Sequence, residues 1–151
     1  MAPQTRQLCT FSLGELLFGV AVTHVQEVIR YQEMTSVPLA PALIRGLINL
    51  RGQIVTALDM RARLGLPARE GELPMNVVLR TTDGVVSLLV DEIGDVVQAD
   101  ESAFERVPET TDGILREIVS GVYKLDRRLL LLLDVERVMQ NSQANSKGEA
   151  A

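Results

Sequence analysis

The chain is a succession of short apolar runs broken by glycine, proline and polar pairs. Residues 8–13 and 16–20 alternate around Gly14-Glu15, which predicts two strands of a tight hairpin. At Val22 the period changes. Val22, Val25 and Ile29 form one stripe, which predicts a helix over 22–30 with Thr23 and Gln26 as a capping box and His24, Glu27 and Arg30 on the open face. Residues 36–41 carry two prolines and are expected to be extended and outside any central strand. Residues 47–50 and 53–58 predict a second hairpin about Arg51-Gly52, followed by one or two helical turns over 60–64. A third hairpin is expected over 76–80 and 85–90 across Asp83-Gly84, then a strand over 95–99. Residues 100–116, with Pro108 and Asp112-Gly113, read as a surface excursion, and 134–140 as a short terminal helix.

One stretch occurs twice. Residues 46–59 align without a gap on residues 121–134, so that Gly46 falls on Gly121 and Asp59 on Asp134. Each copy is a glycine, a strand, a polar turn, a second strand and an aspartate opening a helix. Val22, Val25 and Val28 are echoed at the same spacing by Val90, Ile93 and Val96. Two copies imply two similar lobes with a groove between them, and short hairpin-linked strands favour small antiparallel barrels over a parallel sheet. The first copy keeps Asn49, Arg51, Gln53 and Thr56 where the second is almost all leucine, which places function on the first. The hinge between lobes is expected in the Gly-, Pro- and charge-rich 65–74, with 1–7 flexible and 141–151 disordered.

Composition narrows the function. Aromatic residues make up only 3% and there is no Trp, so the core is aliphatic. A net charge of −5 argues against nucleic acid, whose binders need a basic face. With Cys9 alone no internal disulfide forms, and a reducing, cytoplasmic setting fits. The longest leucine run, 129–133, is far short of the roughly 20 residues that span a bilayer, so direct membrane insertion is not expected.

Enzyme signatures are sparse. His24 is the single histidine, which excludes a metal-binding pair, and no phosphate loop or nucleophile elbow occurs around Ser12, Ser87 or Ser120. Neither a catalytic residue, a cofactor nor a metal is assigned. The best acidic constellation, Asp91, Glu92 and Asp95, would serve a small β-barrel hydrolase, but residues of this kind more often solvate and cap a strand end. Arg61, Arg63 and Arg69 read as a solvated helix face. The turn at Gly46, Asn49 and Gly52 is different, because it gives Arg51 a rigid base with Glu27 as a plausible ion-pair partner. Two readings stay open for that pair. One is a surface salt bridge worth about 0–1 kcal/mol. The other is a charged pair rimming an apolar groove, where truncating a desolvated partner costs about 2–5 kcal/mol.

Phe11-Ser12-Leu13-Gly14, Phe18-Gly19-Val20, Val25-Gln26-Glu27-Val28-Ile29, Val37-Pro38, the 46–52 turn ending Asn49-Leu50-Arg51-Gly52, Leu58-Asp59-Met60-Arg61 and Val90-Asp91-Glu92-Ile93-Gly94-Asp95-Val96 together resemble the CheW coupling-protein family of bacterial chemotaxis. The resemblance covers a domain over 8–140. It implies a mostly β fold of two pseudo-symmetric five-stranded antiparallel barrels, Src-homology-3-like, packed on a hydrophobic seam with a few short helices. It also implies a non-enzymatic adaptor that bridges the cytoplasmic hairpin tip of chemoreceptors to the regulatory domain of the histidine kinase CheA, with other coupling proteins as further partners in rings. Carried over position by position, the receptor-binding residues are Val25, Glu27 and Arg51, with Val28 and Leu50 lining the groove. The kinase-docking residues remain unassigned. Thr56 in place of a frequent proline and Ala21 in place of a polar residue depart from the family pattern and leave room for a divergent pathway of pilus motility, gliding or surface sensing. The coupling half of a phosphorylatable adaptor is a weaker alternative, since only a short tail follows Gln140.

Overall fold

Alternating apolar runs need partners for one or both faces, and the computed structural model, which describes residues 5–109, 111 and 113–138, arranges them in two sheets. The strands are β1 (Thr5–Leu13), β2 (Leu16–Ala21), β3 (Val25–Ile29), β4 (Ile44–Leu50), β5 (Gln53–Asp59), β6 (Met75–Thr81), β7 (Gly84–Val90), β8 (Glu92–Asp100), β9 (Phe104–Glu105), β10 (Val119–Lys124) and β11 (Leu129–Leu133). Helices α1 (Met60–Leu64) and α2 (Gly113–Ile118) are short, and a helical turn occupies 135–138. The first sheet runs β8-β1-β2-β11-β10-β9 and the second β3-β6-β7-β5-β4.

The two halves of the chain exchange strands. Hairpin β1–β2 begins the chain yet lies in the sheet completed by β8, β10 and β11, while hairpin β6–β7 joins β3, β4 and β5. In each sheet the hairpin pairs antiparallel with a strand of the opposite half (β1 with β8, β6 with β3) and parallel with another (β2 with β11, β7 with β5). Strands joined through distant chain are free of the reversal that a short turn imposes, which explains the parallel pairs within sheets expected to be wholly antiparallel. One sheet also has a sixth, two-residue strand beyond the five expected.

Several other expectations change. The stretch 25–29 is a strand, and only Val22–His24 is helical, as a 3₁₀ turn capped by Ala21 without a side-chain bond; the Thr23–Gln26 capping box does not form. The helix-like spacing has a β explanation. Val25 pairs with Leu79 and Val28 with Val77, with a bulge between Val25 and Glu27. One extra residue stretches the two-residue strand period to three. The echo at Ile93 and Val96 is the same device, since they pair with Phe11 and Cys9 across another bulge. Residues 65–74 do not separate the sheets: they connect α1 to β6, and both neighbouring strands belong to the second sheet. The chain instead crosses at 22–24 and at Asp91, the single residue between β7 and β8. Residues 5–7, expected to be flexible, extend β1. The excursion 100–116 contains β9 and the start of α2. Residues 139 and 140 of the expected terminal helix, and the tail 141–151, lie outside the described residues, as do 1–4.

The core has three parts. A seam between the sheets takes Phe11, Leu13, Phe18, Val20, Leu131 and Leu133 from the first and Leu58, Val77, Leu79, Leu88 and Val90 from the second. Ile48, Leu50, Val55, Ala57, Val78 and Leu89 fill the inside of the second sheet, and Leu8, Ala99, Tyr123, Leu130 and Leu132 that of the first. Neighbouring residues of β11 therefore enter different cores, and its run of leucines is what a strand buried on both faces requires.

The repeat glycines share one reason. A Cβ on Gly46 would meet the Thr35 carbonyl oxygen at 2.7 Å, and one on Gly121 would meet the Phe104 ring at 2.2 Å and the Glu105 carbonyl oxygen at 2.8 Å. Each glycine follows a bulge and admits a second backbone beside the strand, Thr35 paired to Leu47 in one case and β9 in the other. Gly46 thus serves close approach, not the turn. Gly46→Ala and Gly121→Ala should each cost about 1–3 kcal/mol through overpacking, measured as a lowered denaturation midpoint with an unchanged slope.

Candidate functional site

The turn between β4 and β5 is a two-residue hairpin loop, with Leu50 paired to Gln53 and Arg51-Gly52 at its tip. Both tip residues have positive φ, +52° at Arg51 and +90° at Gly52, the backbone of a type I′ turn. Glycine suits the second position, whereas an arginine in the left-handed region costs about 1–2 kcal/mol. Asn49 braces the loop, its Oδ1 accepting a 2.9 Å bond from the Gly52 amide.

Arg51 reaches across the open side of the sheet. Its Nη2 donates to Glu27 Oε2. Glu27 lies on β3, one edge strand, and Arg51 directly follows β4, the other, so the pair ties the two margins of the sheet. The Arg51 side chain is 74% exposed and that of Glu27 only 21%, while Glu27 Oε1 is buried and accepts no bond among the described residues. In isolation so exposed an arginine contributes about 0–1 kcal/mol, less than its backbone strain. Stability therefore does not account for it.

Around this pair the expected residues divide. Val28 is 38% exposed on the β3 edge. Val25 packs against the seam, and its carbonyl, beside the bulge, accepts a 3.1 Å bond from Arg80 Nη2. Leu50 is buried in the second sheet's inner core, so it supports the turn from beneath. Sequence reasoning missed Ile54, 60% exposed and opposite Asn49. Its signal was an isoleucine two residues past a hairpin tip, on the polar side of the strand.

The acidic constellation takes another form. Asp91 Oδ1 accepts from Arg61 Nε at 2.9 Å and Arg69 Nη2 at 2.5 Å, and Oδ2 from Arg61 Nη2 and the Gly14 amide, both at 2.7 Å. Arg61 Nη1 donates to the Pro67 carbonyl at 2.8 Å. The Arg61 guanidinium, then the Gly14 amide and Arg69, hold the Asp91 carboxyl well below the usual carboxylate range. Such a carboxylate is neither a free base nor an acid. Glu92 is exposed and Asp95 offers its backbone carbonyl to Thr10 Oγ1 at 2.6 Å, and no three-ligand metal cluster occurs among the described residues. The hydrolase reading has no support. Arg61 and Arg69 are structural ligands of Asp91 rather than a solvated face, and Arg63, 8% exposed, pairs with Glu117 at 3.1 Å.

Comparison with known proteins points one way. A family model described as CheW-like domain matches residues 7–143. The chain is 29% identical to a probable chemotaxis protein CheW of Rhizobium etli over 142 residues, covering 93% of this chain and 92% of that protein. It is 30% identical to chemotaxis protein CheW of Rhizobium meliloti over 139 residues, covering 91% and 90%. The crystal structure of scaffolding protein TtCheW from Thermoanaerobacter tengcongensis superposes with a TM-score of 0.78 at 29% identity, covering 87% of this chain and 89% of that one.

Two outcomes follow from the geometry. Arg51→Gly should leave stability within about 1 kcal/mol of the parent, because relief of left-handed strain offsets the lost ion pair, whereas Gly52→Val should lower the melting temperature clearly. Asp91→Asn should cost about 1–3 kcal/mol near neutral pH. Because folding depresses the Asp91 carboxyl, its contribution is present above the ordinary carboxylate value near ~4 and is lost as pH falls through the folded-state value. The gap between parent and variant in denaturant titrations should therefore close on acidification.

Proposed function

The chain belongs to the CheW-like family, and from that premise we propose that it is a coupling scaffold joining a chemoreceptor to a CheA-type histidine kinase. The receptor's cytoplasmic hairpin tip docks on the rim made by β3 and the β4–β5 turn. The observation that carries this reading is the Glu27–Arg51 pair, which spans two sheet edges at a backbone cost, with exposed Val28 next to Glu27 in the chain and exposed Ile54 just past the turn. Apolar contact with Val28 and Ile54 supplies burial, Val25 and Leu50 hold the rim from below, and the charged pair sets register on an amphipathic helix.

The scaffold performs no chemistry of its own. Holding a receptor and the kinase regulatory domain together raises the local concentration of kinase at receptors, and contacts with further coupling proteins spread the response through an array. Among the described residues no helix is long and apolar enough to cross a membrane. We place the protein in the cytoplasm, at the membrane only through its receptors.

Capture by an immobilised receptor hairpin and, separately, by the kinase regulatory domain tests this. Arg51→Ala and Glu27→Lys should each weaken receptor capture by about 2 kcal/mol or more and leave kinase capture unchanged. Equal loss of both captures, or retention of receptor capture by both variants, refutes the assignment.

A further inference from the structure

Asp91 is the whole connection between β7 of the second sheet and β8 of the first, so the chain passes from one lobe to the other through a single residue. That residue is fastened on both sides. Towards the first sheet, its amide donates to the Ser12 carbonyl at 3.0 Å and its Oδ2 accepts from the Gly14 amide at the β1–β2 turn. Towards the second, its carboxylate holds Arg61 of α1, which follows β5, and Arg69 of the 65–74 connection. The side chains of Asp91, Arg61 and Arg69 are all less than one-fifth exposed, so these bonds are shielded from competition with water.

The pseudo-symmetry supplies a comparison within the molecule. Arg61 and Glu136 occupy equivalent repeat positions, each in a helical turn after an aspartate whose carboxylate accepts backbone amides. Glu136 also reaches a hairpin turn of the opposite sheet, accepting from the Thr82 amide at 3.0 Å and the Thr82 hydroxyl at 2.8 Å. That contact is exposed and has no arginine in it. The polar links that flank the apolar seam are therefore strong at one end and weak at the other.

We propose that Asp91 is a positioning residue: its doubly fastened carboxylate fixes the angle between the two lobes, and that angle lets one scaffold hold receptor and kinase in activating geometry. The second half rests on the function proposed above. The first stands without it. The link to coupling requires the kinase to dock on the first sheet, opposite the receptor rim of the second; a loosened Asp91 then leaves each face intact but lets their relative angle vary about the Glu136 end, so separate binding survives while coupling fails.

The full chain carrying Cys9→Ser, with spin labels at Gln53→Cys and Asp126→Cys on opposite sheets, reads the angle by pulsed electron resonance. The parent should show one narrow distance distribution, Asp91→Asn a distribution about twofold broader, and Glu136→Gln little change. In parallel, Asp91→Asn should change the separate affinities for receptor hairpin and kinase domain by less than about threefold, while kinase activation in reconstituted assemblies falls by about tenfold or more. If Asp91→Asn does not fold, Arg69→Gln, which removes one of the carboxylate's two arginines, is read instead. A distribution as narrow as the parent's overturns the positioning role. Broadening with undiminished activation overturns its link to coupling. Parent protein that captures neither partner refutes the proposed function, with the distance measurement still judging the latch.

Discussion

The seam between the sheets is the constraint from which the rest follows. Each half of the chain surrenders its first hairpin to the other half, so neither sheet can be completed from one half alone. The contact that results is apolar and closely packed: Phe11 and Phe18 stack at 5.7 Å between centroids, against leucines and valines of β6 and β7. Exchange of this kind converts two marginal half-size units into one cooperative body, because burying either hairpin requires both.

On that frame the duplicated segment has diverged according to burial. The glycines and bulges persist in both copies because the backbone crowding persists: Thr35 beside Gly46, and Phe104 beside Gly121. The turns diverge because they face solvent. Arg51 accepts a strained backbone and projects to Glu27, while the corresponding turn of the second copy carries Asp126, Arg127 and Arg128 without that pairing. The strain in this exposed turn is thus retained with little stability gained from the ion pair.

Two of the arginine–carboxylate sites differ in kind. At Asp91 the charges are largely shielded and the carboxylate holds two arginines and the Gly14 amide, so they act as structure. At Glu27 one oxygen is buried without a partner among the described residues and the arginine lies open to solvent. Chemical type alone does not separate them. Desolvation and the number of fixed partners do.

How much of this was legible follows from the range of each interaction. Three hairpins and α1 were readable because turn chemistry at Gly14, Gly52 and Asp83-Gly84 and the capping carboxylate of Asp59 act within a few residues. The Glu27–Arg51 pairing was expected from the rigid turn and the nearby Glu27, but Ile54 was not, because its exposure depends on which side of β5 the sheet leaves open. The 25–29 strand was misread since a bulge imitates a helical period, and only β6, some fifty residues away, decides between them by offering a backbone ladder. The sequence by itself determined the duplicated β-modules, the aliphatic core and the rigid arginine turn, all set by local sterics and composition. Only the tertiary structure decided the strand exchange, the tie between opposite sheet edges, and the role of Asp91, because each depends on which distant backbone and charges arrive to satisfy it.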